Sequence, residues 1–317
     1  MNGGIVRMQA KYEVLGDMKM SVNLYSPREN NDGDIFVASH AGELLRYKED
    51  EKKFETAEIF MGQLNSKNNL LLYLLGITFD MYNNLYVSCL ANAMICYQNV
   101  EEIHNLEQLV KEYDGIPFKG PCSIAYNKDE NIIYFSDAGY FGTTSLNRPQ
   151  GSLFTIELES RITKPILLDC LAYPADIVYD QLNQILYVAE TFTNRVLRIV
   201  QNPPGQYHSS TFYQFSGRVG PTALCLDDTG NLFVARFEFQ TKENDENGII
   251  SAINRDGKLV GELLIPKKSE ITGLLIPLNS HNTKMYITEK KTNGMLSIDI
   301  TNFETDIDKV EEFNKVS

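Results

Sequence analysis

The chain has 317 residues, 43% hydrophobic and 22% charged, with 42 acidic against 29 basic side chains and a formal charge of −13. That make-up excludes a disordered chain and supplies enough apolar surface for a large core. The negative balance, with no long basic run to offset it, argues against a partner made of nucleic acid and against an anionic membrane surface.

The opening stretch, MNGGIVRMQAKYEVLGDMKM, lacks the apolar core of a secretory signal, and no later run reaches the roughly 18 apolar residues of a membrane span. Within it, KYEVLGD from Lys11 reads as a strand with no local partner. From Val22 onward one pattern recurs: a short apolar strand ending in an Asx- or Gly-containing turn, an alternating strand with a central aromatic, a polar turn and a third strand. The copies are carried by GDIFVASHAGELLRY from Gly33, NNLYVSCLANAMICY from Asn83, NIIYFSDAGYFGTT from Asn131 with GSLFTI from Gly151, QILYVAETFTNRVLRI from Gln184, GNLFVARFEFQ from Gly230 with NGIISAI from Asn247, and TKMYITEKKTNGMLSI from Thr283.

The recurring aromatic falls at Phe36, Tyr86, Tyr134, Tyr187, Phe233 and Tyr286, so successive copies stand 46 to 53 residues apart, about one propeller blade each. Fourth strands are read in FETAEIF from Phe54 and STFYQFS from Ser210. The fold expected is all-β, a single six-bladed β-propeller with four-stranded antiparallel blades over roughly 18–62, 72–118, 119–168, 172–216, 219–266 and 269–300. Two segments keep alternatives. QNVEEIHNLEQLVKEY from Gln98 has apolar residues at helical spacing and reads as a helical insert in the second blade. Either KYEVLGD closes the ring by joining the last blade, or the tail from Thr301 does so, the tail's other reading being a short amphipathic helix.

The pieces YFSD, G-S-L-F, YVAET and N-R-V-L-R-I, in that order between Gly120 and Ala235, resemble the third to fifth blades of the regucalcin/gluconolactonase and strictosidine synthase-like superfamily. The resemblance implies a site at the mouth of the central channel. In lactonase and esterase members it implies a divalent cation, commonly calcium, held by a first-blade glutamate, middle-blade asparagines and an aspartate, a hard-cation set that polarises a carbonyl. The matching channel positions here are Val22, Leu75, Cys122, Ala175, Thr222 and Thr272, none acidic. Asp176 stands one residue from an expected asparagine. Strictosidine synthase's catalytic carboxylate would fall near Thr272, with Glu270 two residues earlier.

Other polar residues end the second strand of each copy: His40, Cys89, Asp137, Glu190, Arg236 and Glu289. Asp137 and Glu190, from neighbouring blades, and Asp176 are the candidates for acid–base work, although acidic side chains at strand ends ordinarily accept backbone hydrogen bonds. The long loop AGYFGTTSLNRPQ offers Tyr140, Phe141 and Arg148 as interface anchors, or as a plug over the channel. Paired lysines such as Lys290-Lys291 read as a solvated loop.

With the expected metal ligands missing, the sequence points to a non-catalytic propeller, a rigid accessory subunit with protein partners, no cofactor and no metal site. The alternatives are a divergent metal-dependent hydrolase of the lactonase/esterase type, using calcium or another divalent cation, and a small-molecule binding propeller. Cys89, Cys96, Cys122, Cys170 and Cys225 are odd in number and show no pairing motif, which suits a reducing, intracellular compartment, cytoplasmic or cytoskeletal, with the mitochondrial matrix equally compatible.

Overall fold

In the computed structural model, residues 5–16, 23–59, 74–90, 93–99, 106–140, 142–217, 219–238, 247–278, 283–290, 292, 294–303 and 306–307 are described. Their strands form six four-stranded antiparallel blades, ordered innermost to outermost as the chain runs except for the outermost strand of blade 6, which is a six-bladed β-propeller. The innermost strands are Leu24–Glu29, Leu74–Phe79, Pro121–Asn127, Pro174–Asp180, Val219–Leu226 and Ile271–Leu275.

The recurring aromatic explains why the blades stack. Phe36 of blade 1 packs with blade 2, its ring 5.1 Å from Phe79. Tyr86 packs into blade 3, Tyr134 into blade 4, Tyr187 into blade 5, Phe233 into blade 6 and Tyr286 into blade 1. Each aromatic is thus a large side chain that a blade sends into the next. No blade buries its two faces alone, so the core is distributed between blades around the ring.

The ring closes through the N-terminal end. Tyr12–Leu15 pairs antiparallel with Met295–Asp299 as the outermost strand of blade 6, from Tyr12 opposite Ile298 to Leu15 opposite Met295. Val6–Gln9 then adds a fifth strand to blade 5, parallel to Leu259–Ile265. The C-terminal segment takes helical turns at 301–303 and 306–307, and Phe303 and Ile307 are fully buried against Gly261.

The helical reading of the segment from Gln98 is corrected. Leu106–Val110 is the outermost strand of blade 2, paired with Met94–Gln98, and residues 100–105 lie outside those described. The spacing of Val100, Ile103, Leu106 and Val110 fits a helix, but Leu106 also supplies the inward side chain of an edge strand, and the waiting edge of Met94–Gln98 decides between the two. Among the described residues, no helix is long and apolar enough to cross a membrane.

Candidate functional site

Every innermost strand breaks register near its start. The shifts fall at Tyr25/Arg28, Leu74/Gly76, Pro121/Ile124, Pro174/Asp176, Pro221/Ala223 and Ile271/Gly273. A bulge re-aims the extra residue, and these extra residues include Leu75, Cys122, Ala175, Thr222 and Thr272, the channel positions read from the sequence. All five line one cavity of about 560 Å³ at the channel mouth. Val22 lies outside the described residues, and blade 1 reaches the cavity through Tyr25 and Ser26.

Around the cavity a belt of polar contacts joins each blade to the next, most of its side chains lining the cavity. The Ile77 amide donates to Ser26 Oγ at 3.3 Å, and Ser88 Oγ donates to the Cys122 carbonyl at 2.6 Å. Ser123 Oγ donates to Asp176 Oδ1 at 2.5 Å. Thr191 Oγ1 donates to the Pro221 carbonyl at 2.8 Å, Thr222 Oγ1 to the Ile271 carbonyl at 3.0 Å and Thr272 Oγ1 to the Leu24 carbonyl at 2.7 Å. The hydroxyls at the expected ligand positions therefore hold the ring shut.

Asp176 is the carboxylate on the cavity floor. Oδ1 accepts from Ser123 Oγ and from its neighbour's amide, Ile177 N, at 2.9 Å, while Oδ2 accepts from Leu224 N of blade 5 at 2.7 Å. Arg28 Nη2 stands 3.6 Å from Oδ1. Burial pushes the Asp176 carboxyl above its usual range, and Arg28 leads the groups that oppose the rise. Beside it, burial pushes the Cys122 thiol up to about 12, so that sulfur stays protonated and unreactive at neutral pH.

Calcium takes six to eight oxygen ligands, among them carboxylates whose charge sets the affinity. Here leucine, alanine and cysteine share the rim with threonines whose hydroxyls face carbonyls, and of the two carboxylates on the cavity Asp176 has both oxygens engaged while Glu270 is paired with Lys290. Among the described residues no three carboxylate, imidazole or thiolate side chains converge. This donor set does not fit calcium.

Asp137 and Glu190 do not pair. Asp137 Oδ2 accepts from Lys119 N at 2.7 Å and Oδ1 from Gly120 N and Gly139 N at 2.8 and 2.9 Å. Glu190 accepts from Ala172 N at 2.7 Å and from Arg195 Nε at 2.6 Å. Each ties a loop to its own blade, as strand-end carboxylates ordinarily do, and neither lines the cavity. The loop after blade 3's second strand folds toward the mouth, with Tyr140, Gly142 and Thr144 on the cavity wall. Arg148 is exposed and Phe141 lies outside the described residues.

The cavity adds a pair that residue spacing had not singled out. Glu270 Oε2 and Lys290 Nζ stand 2.8 Å apart on its wall, and the hydrogen bond to Glu270 raises the Lys290 pKa. Lys290 is exposed, as its Lys-Lys context suggests, and the ion pair with Glu270 is what ties it to the cavity wall. The signal was present in part, since Glu270 sits two residues before Thr272, but its partner follows the next strand of the same blade. Five aromatic side chains, Tyr25, Tyr140, Tyr173, Phe192 and Phe237, contribute to the other walls beside serines and threonines.

Residues 35–291 match the model of the SMP-30/gluconolactonase/LRE-like region. Lactonase drp35 of Staphylococcus aureus is 28% identical over 156 residues, 47% of this chain and 45% of its own length, and that of Staphylococcus haemolyticus is 26% identical over 149 residues, 44% and 43%. The matched region thus spans less than half the length of these relatives. Among solved structures, a gluconolactonase from Xanthomonas campestris superposes with a TM-score of 0.71 at 15% identity over 92% of this chain and 89% of its own. A calcium-binding protein, regucalcin, from Agrobacterium tumefaciens does so with 0.71 at 11% over 93% and 95%. The relatives named as lactonases overturn the expectation of a non-catalytic accessory subunit. That expectation took missing metal ligands as missing chemistry.

Proposed function

The chain belongs to the SMP-30/gluconolactonase/LRE-like family, and on that premise we propose that it is a hydrolase of the lactonase/esterase type whose reaction takes place in the cavity at the channel mouth. The observation that carries this reading is the Glu270–Lys290 pair set on the wall of a cavity of small-molecule size, five of whose lining side chains are aromatic. Opening an ester needs a proton acceptor for the attacking water and positive charge where the carbonyl oxygen becomes an oxyanion. Glu270 takes the water proton as the new C–O bond forms, and Lys290 donates to the oxyanion. The ester C–O bond then breaks, and Glu270 returns the proton to the leaving alkoxide, which for a lactone yields one hydroxy acid. Asp176, with each oxygen engaged, holds the floor.

The aromatic walls support lactones or esters with an apolar body, and the donor set supports chemistry without a metal or cofactor. Four of the five cysteines are buried, and all five are free; with the negative charge this supports a reducing, cytoplasmic setting and activity without nucleic acid. The test is a panel of γ- and δ-lactones and aryl esters assayed in EDTA with wild type, Glu270→Gln and Lys290→Met. We expect turnover in wild type and a fall in kcat/KM of about 10²-fold or more in each variant. No turnover across the panel, or variants as active as wild type, would count against the reading.

A further inference from the structure

One ion pair belongs neither to a single blade nor to two neighbours. Arg28 leaves the innermost strand of blade 1, and its Nη2 lies 3.6 Å from Oδ1 of Asp176, on the innermost strand of blade 4. In a six-membered ring those two blades stand opposite, so the guanidinium spans the channel. Among the described residues, the other ion pairs stay within one blade or link adjacent ones, as Lys268 with Glu289 and Lys284 with Glu49 do. The two side chains are 18% and 11% exposed, so the charges face each other more than water. Arg28 Nη1 also donates to the Pro27 carbonyl at 2.9 Å, which fixes the head of the side chain.

We propose that Arg28 is the channel's resident cation: on a tether, it supplies the positive charge that a bound divalent ion would supply, and the propeller closes without such an ion. Three features carry this. The floor presents one carboxylate, whose charge one guanidinium balances. That carboxylate meets donors alone, Ser123 Oγ, Ile177 N and Leu224 N, and this is a setting for an anion whose counter-ion is already present. A dication entering beside it would meet the fixed guanidinium as a like charge in a partly desolvated channel. The inference stands on channel geometry and is independent of the hydrolase reading.

The test combines a mutant cycle with metal titration on the full chain. Calcium, manganese and EDTA are each expected to move the wild-type Tm by less than about 1 °C, because a cation that does not bind the native state cannot stabilise it. Arg28→Met is expected to lower Tm by about 5 °C, since it leaves Asp176 buried without its partner. Asp176→Ala is expected to lower it comparably, and the double variant to melt no lower than the weaker single one, as coupled residues do. Arg28→Lys, which keeps the charge, is expected to fall between wild type and Arg28→Met, and it serves if Arg28→Met does not fold. Losses that simply add would overturn the proposal. So would saturable calcium binding by wild type that raises Tm by more than about 3 °C and is abolished in Asp176→Ala.

Discussion

Thr222 shows what a residue at a channel position does in this ring. At the position where a metal-binding relative would place an aspartate, it donates to the Ile271 carbonyl and joins blade 5 to blade 6. Thr222→Val keeps the shape and removes the hydroxyl, leaving that part-buried carbonyl without this donor. A loss of about 1 kcal/mol is expected, seen as a Tm lower by about 2 °C and unchanged by calcium; an unaltered Tm would show that the contact carries nothing. Asp176 gives the residue scale its pH dependence. The groups near its carboxylate are Arg28, the Cys122 thiol and Ser123, with Glu270 and Lys290 on the same cavity. Burial holds its folded pKa above the unfolded 3.8, so the native state binds this proton more readily than the unfolded chain does, and its contribution to stability falls as pH rises through that window. Removing Arg28 takes away the leading opposing influence. The gap in Tm between wild type and Arg28→Met should therefore be full at pH 7 and narrow steadily toward pH 4, whereas a gap that does not vary with pH would mean that Asp176 is not the group left unbalanced.

At the scale of elements, the unit that positions the site is the bulged innermost strand, repeated in all six blades. Where this element shows itself in sequence, it does so through period and aromatics: Phe36, Tyr86, Tyr134, Tyr187, Phe233 and Tyr286 mark the second strands because each must fill the gap to the next blade. The channel positions Leu75, Cys122, Ala175, Thr222 and Thr272 could be read by setting those strands in register, and the bulges are why they converge. Other elements were not legible, and for a shared physical reason. Leu106–Val110 has helical spacing, and only the free edge of a strand formed earlier makes it a strand. Lys290 reads as a surface lysine without a role until the hairpin between Ile271–Leu275 and Lys284–Glu289 brings it back to Glu270. The missing metal ligands could be seen residue by residue, but the hydroxyl belt and the cation reaching across from blade 1 depend on partners contributed by other blades. Local pattern marks the strands and their period, and contacts between elements distant in the chain, within a blade or between blades, appear only when the strands pair and the ring is built.

For the whole molecule, closure is the step on which the rest depends, because the cavity, the belt and the Arg28–Asp176 pair all require blade 1 to meet blade 6. That junction is made by a short strand, Tyr12–Leu15, with Leu15 buried in the cluster between the two blades, and it is reinforced by Val6–Gln9 on blade 5. Removing residues 1–16 would leave Met295–Asp299 as an unpaired edge and take Ala10 and Leu15 out of two interblade clusters. Thermal unfolding followed by circular dichroism should then show a Tm lower by at least about 10 °C, or a transition broadened to the point of losing cooperativity, since losses of several kcal/mol are large against a total of about 5–15 kcal/mol. A synthetic peptide covering residues 5–16, added in excess, should restore part of the lost Tm by binding the open edge in trans. If the truncated chain melts within about 2 °C of the full one, the ring is held by contacts between the blades and the terminal strand only decorates it. If it melts early and the peptide rescues it, the N-terminal strand is the latch that keeps the channel site assembled.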